Sequence, residues 1–360
     1  MILQNISQIK RCDFNKLINH LIKSLIIIVI FTKVIHAQSL DAPVDRGVGF
    51  YFDQDLLIPF GYNEDRDYTM GLAFEFFWEK DKGIYPLDRL VKVAGEWMGI
   101  EDSSDDYYHS FMLGMLAYTP DDLADSSPIF DDRPYSSLIY LSNKRVRADS
   151  RNAVAAEVLI GVLGTNIAES AQTRLHTAYR SVSDDDEPVD PMGWSYQISD
   201  GGELTMRLRV TNSRLKESLS NKGNYDVATT WGASLGFQTN INLGVALRAG
   251  SIKSPFWSLP FDPVTRGNFM PSRSKNEWYV WSAIRTHLIA YDALLQGQFK
   301  HSDVTYTGDD IERFVYDGGI GLTLGFEDSQ VTISTNAKTS DLKVMDRKQI
   351  WGSIIYVINF

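Results

Sequence analysis

Asp53 and Asp55 lie shortly before Asp67 and Thr69 in the chain. Three carboxylates and a hydroxyl brought to one rim make an oxygen-rich site, suited to Ca²⁺ rather than to a softer metal. The same four residues also fit a polar network inside a barrel plus a solvated turn. His176 sits in a long segment, 165–202, that lacks strand patterning. An imidazole near its ordinary pKa serves as a general base at neutral pH. Its neighbours are Gln172, the acidic run Asp184-Asp185-Asp186-Glu187, and Pro191-Met192-Gly193-Trp194. A lone loop histidine is also common without any chemical duty, and an acidic run is also a solvated face. Arg133, beside Asp132, can grip a phosphate or carboxylate through its planar fork, or can form a structural pair that holds its loop.

Several chemistries are excluded. The chain has no Gly-x-Ser-x-Gly elbow, no glycine-rich phosphate cradle and no His-Glu-x-x-His helix. Its single cysteine, Cys12, falls in an N-terminal segment that reads as removable, so the mature chain offers no thiolate, disulfide or cysteine zinc site. The net charge of −11 leaves no basic footprint for nucleic acid. A hydrolytic reading therefore rests on a water activated by His176, with a metal beside it.

The elements that must position these residues are strands. The chain ends on Trp351-Gly-Ser-Ile-Ile-Tyr-Val-Ile-Asn-Phe360, where Ile350, Ile354, Tyr356, Ile358 and Phe360 share one face. Tyr68, Met70, Leu72, Phe74, Phe76 and Trp78 form a second such stripe, alternating with smaller or polar residues. A third runs through Tyr225, Val227, Trp231, Ala233, Leu235 and Phe237, and a fourth through Phe314, Tyr316, Ile320, Leu322, Leu324 and Phe326. Period-2 stripes rich in aromatics, opposite a face of Gly, Ser and Thr, fit a wall between lipid and a crowded lumen. The mean hydropathy of −0.19 argues against a helical membrane protein but not against a barrel.

Twelve strands are expected, near 47–57, 67–78, 107–118, 135–147, 152–164, 203–211, 225–238, 241–252, 276–290, 313–327, 329–338 and 349–360. The fold class is all-β, a transmembrane antiparallel barrel of the outer-membrane type, and an even count leaves both ends in the periplasm. Parity then makes 58–66, 119–134, 165–202, 239–240, 291–312 and 339–348 extracellular. It puts a short helix at Pro86–Trp97 on the periplasmic side, together with the unusually long connection 253–275. Ahead of the barrel, Lys10, Arg11, Lys16 and Lys23 precede the apolar run Leu25–Phe31 and a cleavage point after Ala37. Residues 1–37 read as a secretory signal and 38–360 as one barrel domain. A single anchoring helix is the competing reading, but the run is short and Lys33 interrupts it.

The ordered segments resemble the outer-membrane lipid A 3'-O-deacylase family (LpxR-type). The pieces are Asp53-Gln-Asp-Leu56, Asp65-Arg-Asp-Tyr-Thr-Met-Gly71, Tyr118-Thr-Pro-Asp-Asp122 and Asp132-Arg-Pro-Tyr-Ser136. Then come Ile160-Gly-Val-Leu-Gly164, Gln172 with His176, Gly193-Trp194 with Gln197, and Leu247-Arg-Ala-Gly250. The resemblance implies a twelve-stranded barrel in the outer membrane of a Gram-negative bacterium. It implies Ca²⁺-dependent hydrolysis of the ester holding the 3'-linked acyloxyacyl group of lipid A. The partners are then lipopolysaccharide and membrane lipids, and the protein a monomer. It makes His176 the base, gives Gln54, Asp55 and Thr69 places in the site, with Asp55 on the metal, and leaves Arg66 and Arg133 to meet the sugar phosphates. Gln54 stands where the family has Asn, and Val182 where it has a glutamate, for which Asp184 or Glu187 is the nearest substitute. These departures keep open a barrel that binds lipopolysaccharide or Ca²⁺ without cleaving. A narrow pore and a phospholipase-type barrel are the remaining alternatives.

Overall fold

The computed structural model describes residues 46–55, 66–79, 86–100, 107–181, 189–218, 225–261, 276–326 and 328–360. Twelve strands close into one antiparallel barrel in which each pairs with its sequence neighbours and the first pairs with the last. They are β1 Arg46–Gln54, β2 Asp67–Glu79, β3 Tyr107–Thr119, β4 Ser136–Ala148, β5 Asn152–Leu163 and β6 Glu203–Ser218. The others are β7 Tyr225–Gly236, β8 Gln238–Ser251, β9 Glu277–Asp292, β10 Phe314–Gly325, β11 Ser329–Lys338 and β12 Gln349–Asn359. Among the described residues three α-helices lie between them: α1 Pro86–Trp97, α2 Ile167–Arg180 and α3 Ala293–Gln296. The expected signal segment lies outside the described residues.

All the expected strands form, because alternation leaves them one way to face. Phe74, Phe76, Leu243, Ile284 and Ile320 point to the lipid side and are exposed. Glu75, Lys144, Arg207, Arg209, Glu157, Arg285 and Asp317 point inward and are buried. These lumen charges meet each other, as in Arg207–Glu157 at 3.3 Å and Arg285–Asp317 at 2.9 Å. Closure leaves no sheet edge for another chain to extend. No helix among the described residues is long and apolar enough to cross a membrane, so the strands are what cross.

Several strand ends shift by a few residues, and two of the differences alter a connection. β6 runs on to Ser218, and the β7–β8 turn is Phe237 rather than 239–240. Gly236 permits that turn: its φ is +133°, and a Cβ there would lie 2.1 Å from the Met206 carbonyl oxygen.

The connection after β8 enters the periplasmic mouth. Its residues Phe256, Trp257, Leu259 and Phe261 are buried. Trp257 packs on Tyr108 with ring centroids 4.9 Å apart, and the Arg285 guanidinium lies 4.3 Å from the Phe261 ring centroid. Helix α1 lies at the same mouth, with Asp88 3.2 Å from Arg145 and Gly95 close against Arg147. These groups fill the lumen at this mouth, as side chains fill the interior of a small barrel. Planar-bilayer recordings of the purified protein are expected to show no porin-sized steps, and stable unitary conductance would overturn this account of the lumen.

Candidate active site at the outer rim

On β1, alternation sends Gly49, Tyr51 and Asp53 inward and Phe50, Phe52 and Gln54 outward. Gln54 should therefore meet lipid, yet it is 1% exposed. Its cross-strand partner Met70 explains why. Met70 and Ala117 form an apolar cluster with Leu123, Tyr135, Ala168 and Trp194, and Met115, Ala171 and Leu175 border it. Ala168, Ala171 and Leu175 belong to α2. The helix thus lies over the lipid side of the wall at the outer end of β2 and β3, and the rim there has two layers.

A bulge hands residues from the lumen to the covered outer face. Tyr68 pairs with Tyr118, Met70 pairs with Ala117, and Thr69 is the extra residue between them. Tyr68 points inward, donating its hydroxyl to Asp53 at 2.8 Å and packing on Tyr118 and Trp351. Thr69 is fully buried, 2.6 Å from the hydroxyl of Thr119, the outward-facing residue next to Ala117. Simple alternation turns Thr69 into the lumen; the bulge instead brings it to the side that α2 covers.

Helix α2 carries the imidazole. Its buried residues are Ala168, Gln172 and His176, spaced i, i+4 and i+8 along one face. The indole of Trp194 donates to the side-chain amide oxygen of Gln172 at 3.0 Å. His176 Nδ1 lies 2.7 Å from the Val189 carbonyl oxygen. A carbonyl only accepts, so Nδ1 bears the proton and Nε2 is the basic nitrogen of the neutral ring. The return loop is tied to its surroundings by Met192 N to Leu123 O, Ile198 N to Tyr135 O, and the Ser137 hydroxyl to Gln197. Gly164 lets the chain leave β5 against this loop: its φ is +68°, and a Cβ would come within 2.1 Å of the Ser199 carbonyl oxygen.

The charged residues of the rim form a clamp. Arg347 reaches both carboxylate oxygens of Asp67, each at 3.0 Å, and also binds Asp132. Burial alone would lower the Arg347 pKa, but the hydrogen bonds to Asp67 and then Asp132 outweigh it and hold it above its usual range. Arg133 is 1% exposed, bound to Asp341 and laid 3.7 Å from the Tyr118 ring centroid. This is the structural pairing of the two readings open to Arg133; the partner is Asp341, not the adjacent Asp132. Arg66 stays near the surface, paired with exposed Asp121 at 3.0 Å, while its backbone N–H donates to Asp55 at 2.9 Å.

Asp53, Asp55 and Asp67 do not share one cage. Among the described residues no three acidic, histidine or cysteine side chains gather as a metal site. Asp53 accepts from Tyr68 and Asp67 faces Arg347. Asp55 is buried beside Gln54, whose amide oxygen and nitrogen are buried with no hydrogen-bond partner among the described residues. Asp55 and the amide oxygen of Gln54 are oxygen donors of the kind a hard cation takes. Asp184 and Glu187 lie outside the described residues. Thr119, Arg347 and Asp341 are the rim residues that the sequence reading missed.

The family model described as Outer membrane protein LpxR matches residues 24–360. The chain belongs to this family. The solved structure of LpxR from Salmonella typhimurium aligns with a TM-score of 0.65 at 17% identity, covering 87% of this chain and 100% of that one. At that identity the likeness shows the fold alone, that of an LpxR-type barrel of the Gram-negative outer membrane. An outer membrane channel from Pseudomonas putida F1 aligns at 10% identity and a TM-score of 0.39, over 90% of this chain and 97% of that one. The β domain of the Bordetella autotransporter BrkA aligns at 8% identity and a TM-score of 0.41, over 88% and 98%. No curated protein matches in sequence.

Proposed function

We propose that this LpxR-family barrel is an ester hydrolase that removes the 3'-linked acyloxyacyl group of lipid A. The observation that carries the proposal is His176, buried on the inner face of a helix that covers the lipid-side wall, with Nδ1 committed to Val189. A base placed there meets a lipid whose acyl chains lie along the wall and whose sugar sits above it. His176 Nε2 takes a proton from water as the water oxygen attacks the ester carbonyl; the tetrahedral intermediate then breaks its bond to the sugar 3'-oxygen, which takes the proton back from the imidazolium, and the acyloxyacyl group leaves as its carboxylic acid. Thr69 and Gln54 orient the water and the carbonyl. Asp55, with the oxygens of Gln54 and Thr69, would hold Ca²⁺, which when bound supplies positive charge for the oxyanion. Arg66, at the surface, meets a sugar phosphate. Burial under α2 excludes bulk water and strengthens each of these interactions. The closed sheet needs no second copy, so the protein acts as a monomer.

The test is expression in a host whose lipid A has a known acylation pattern, followed by mass spectrometry of that lipid A. The expected product lacks the 3' acyloxyacyl mass, chelation with EDTA stops its formation and added Ca²⁺ restores it. Unaltered lipid A at saturating calcium would overturn the hydrolase reading. Gln54 in the place of an asparagine favours one rival, a barrel that retains lipopolysaccharide without cleaving it. That rival is identified by calcium-dependent binding of intact lipid A.

A further inference from the structure

We infer that Arg347 is a positioning residue for this site, acting through Asp67 and the β2 bulge upon Thr69. The inference rests on the hydrolase reading for its kinetic consequence, but not for its structural one. Asp67 has φ of +65°, in the left-handed region that disfavours a residue with a Cβ. Such a conformation is disfavoured and persists only where the surroundings over-determine it. The surroundings here are the guanidinium of Arg347, which grips both Asp67 oxygens at 3.0 Å and ties the group to Asp132. Asp132 in turn accepts from the backbone of Asp121 at 2.8 Å, so the fork joins the last extracellular loop to the loop after β3.

The consequence runs along two residues. Asp67 sets the direction in which the chain enters β2, Tyr68 is pinned inward on Asp53, and Thr69 is the extra residue that the bulge brings to Thr119. Without the fork, Asp67 relaxes to an extended conformation, the bulge loses its entry angle and Thr69 turns back toward the lumen. A purely structural tie is the competing explanation. The outer loops are already tied without Arg347, through Arg133–Asp341 and Lys338–Asp341.

The experiment uses the full-length protein in detergent micelles with lipid A as substrate. Arg347→Ala is expected to lower kcat about 10- to 100-fold with KM changed less than about threefold, the scale of a misplaced catalytic group. Arg347→Lys, which keeps the charge but not the fork, recovers only part of this. The decisive variant adds Asp67→Gly to Arg347→Ala. Glycine adopts positive φ without the penalty, so this double variant regains most of the lost kcat, whereas Arg347→Ala with Asp67→Ala, which equally removes the unpaired carboxylate but keeps a Cβ, does not.

A second readout does not need activity. In a Cys12→Ser background, Thr69→Cys is the only thiol, and its maleimide labelling rate is expected to rise at least about tenfold with Arg347→Ala and to fall again with Asp67→Gly. Unchanged kcat in Arg347→Ala, unchanged labelling, or no relief by Asp67→Gly overturns the inference. An inactive wild-type protein in which labelling still responds overturns the hydrolase reading and leaves the positioning role standing.

Discussion

Replacing His176 with alanine is expected to lower deacylation of lipid A by about 10²–10⁴-fold, the contribution of a placed general base. The barrel should remain folded, because every strand is hydrogen-bonded to its neighbours independently of α2. The expectation follows from the tautomer. The Val189 carbonyl accepts from Nδ1–H, so the ring offers Nε2 as a base in its neutral form. Alanine removes the base, while glutamine keeps much of the volume but has no comparably basic atom. Both variants should therefore fail to the same degree, and the size of the cavity left behind should not matter. The measurement is the rate at which the 3' acyl mass disappears from lipid A, alongside the heat-dependent gel mobility that reports a folded barrel. Activity in His176→Gln within a few-fold of wild type would remove the imidazole from the mechanism.

What was legible in the chain follows from what each signal depends on. The twelve strands could be read because alternation is local: Phe74 and Phe76 must leave the lumen where Ala73 and Glu75 enter it. The periplasmic helix was legible for a similar reason. The α2 helix was missed: the spacing of Ala168, Gln172 and His176 is a helical period, but it lies inside a segment that reads as loop by its polar composition. The bulge at Thr69 was not legible. Alternation runs unbroken through Tyr68, Met70 and Leu72, and an extra residue shows only in the pairing with β3. Nor was the role of Arg347, whose partner Asp67 is 280 residues away. Three aspartates close in sequence suggested a shared cation, and the fold separates them by giving each its own partner.

That separation implies the largest stability effect, at Asp341. Its carboxylate is 2% exposed, 2.6 Å from Lys338 Nζ, bound to Arg133, and accepts from Gln349 at 3.1 Å. One anion therefore joins the end of β11, the start of β12 and the loop before β4. It serves two buried cations, both over the ring of Tyr118, at 3.7 Å for Arg133 and 5.7 Å for Lys338. Asp341→Ala leaves two like charges buried against one another, having lost the carboxylate that both of them contact. Removing one partner of a buried pair costs about 3–5 kcal/mol, and here the removed partner is the one that is shared. Arg133→Met is expected to cost less, about 1–3 kcal/mol, because Lys338 and Gln349 still satisfy the carboxylate and the methionine still packs on Tyr118. Urea unfolding in detergent micelles, followed by gel mobility, measures the difference. At about 1.4 kcal/mol per tenfold, Asp341→Ala should shift the folding equilibrium by more than about 100-fold, and Arg133→Met by visibly less. Equal losses from the two variants would mean that the acid is not shared and that the mouth is held by the Arg133 contacts alone.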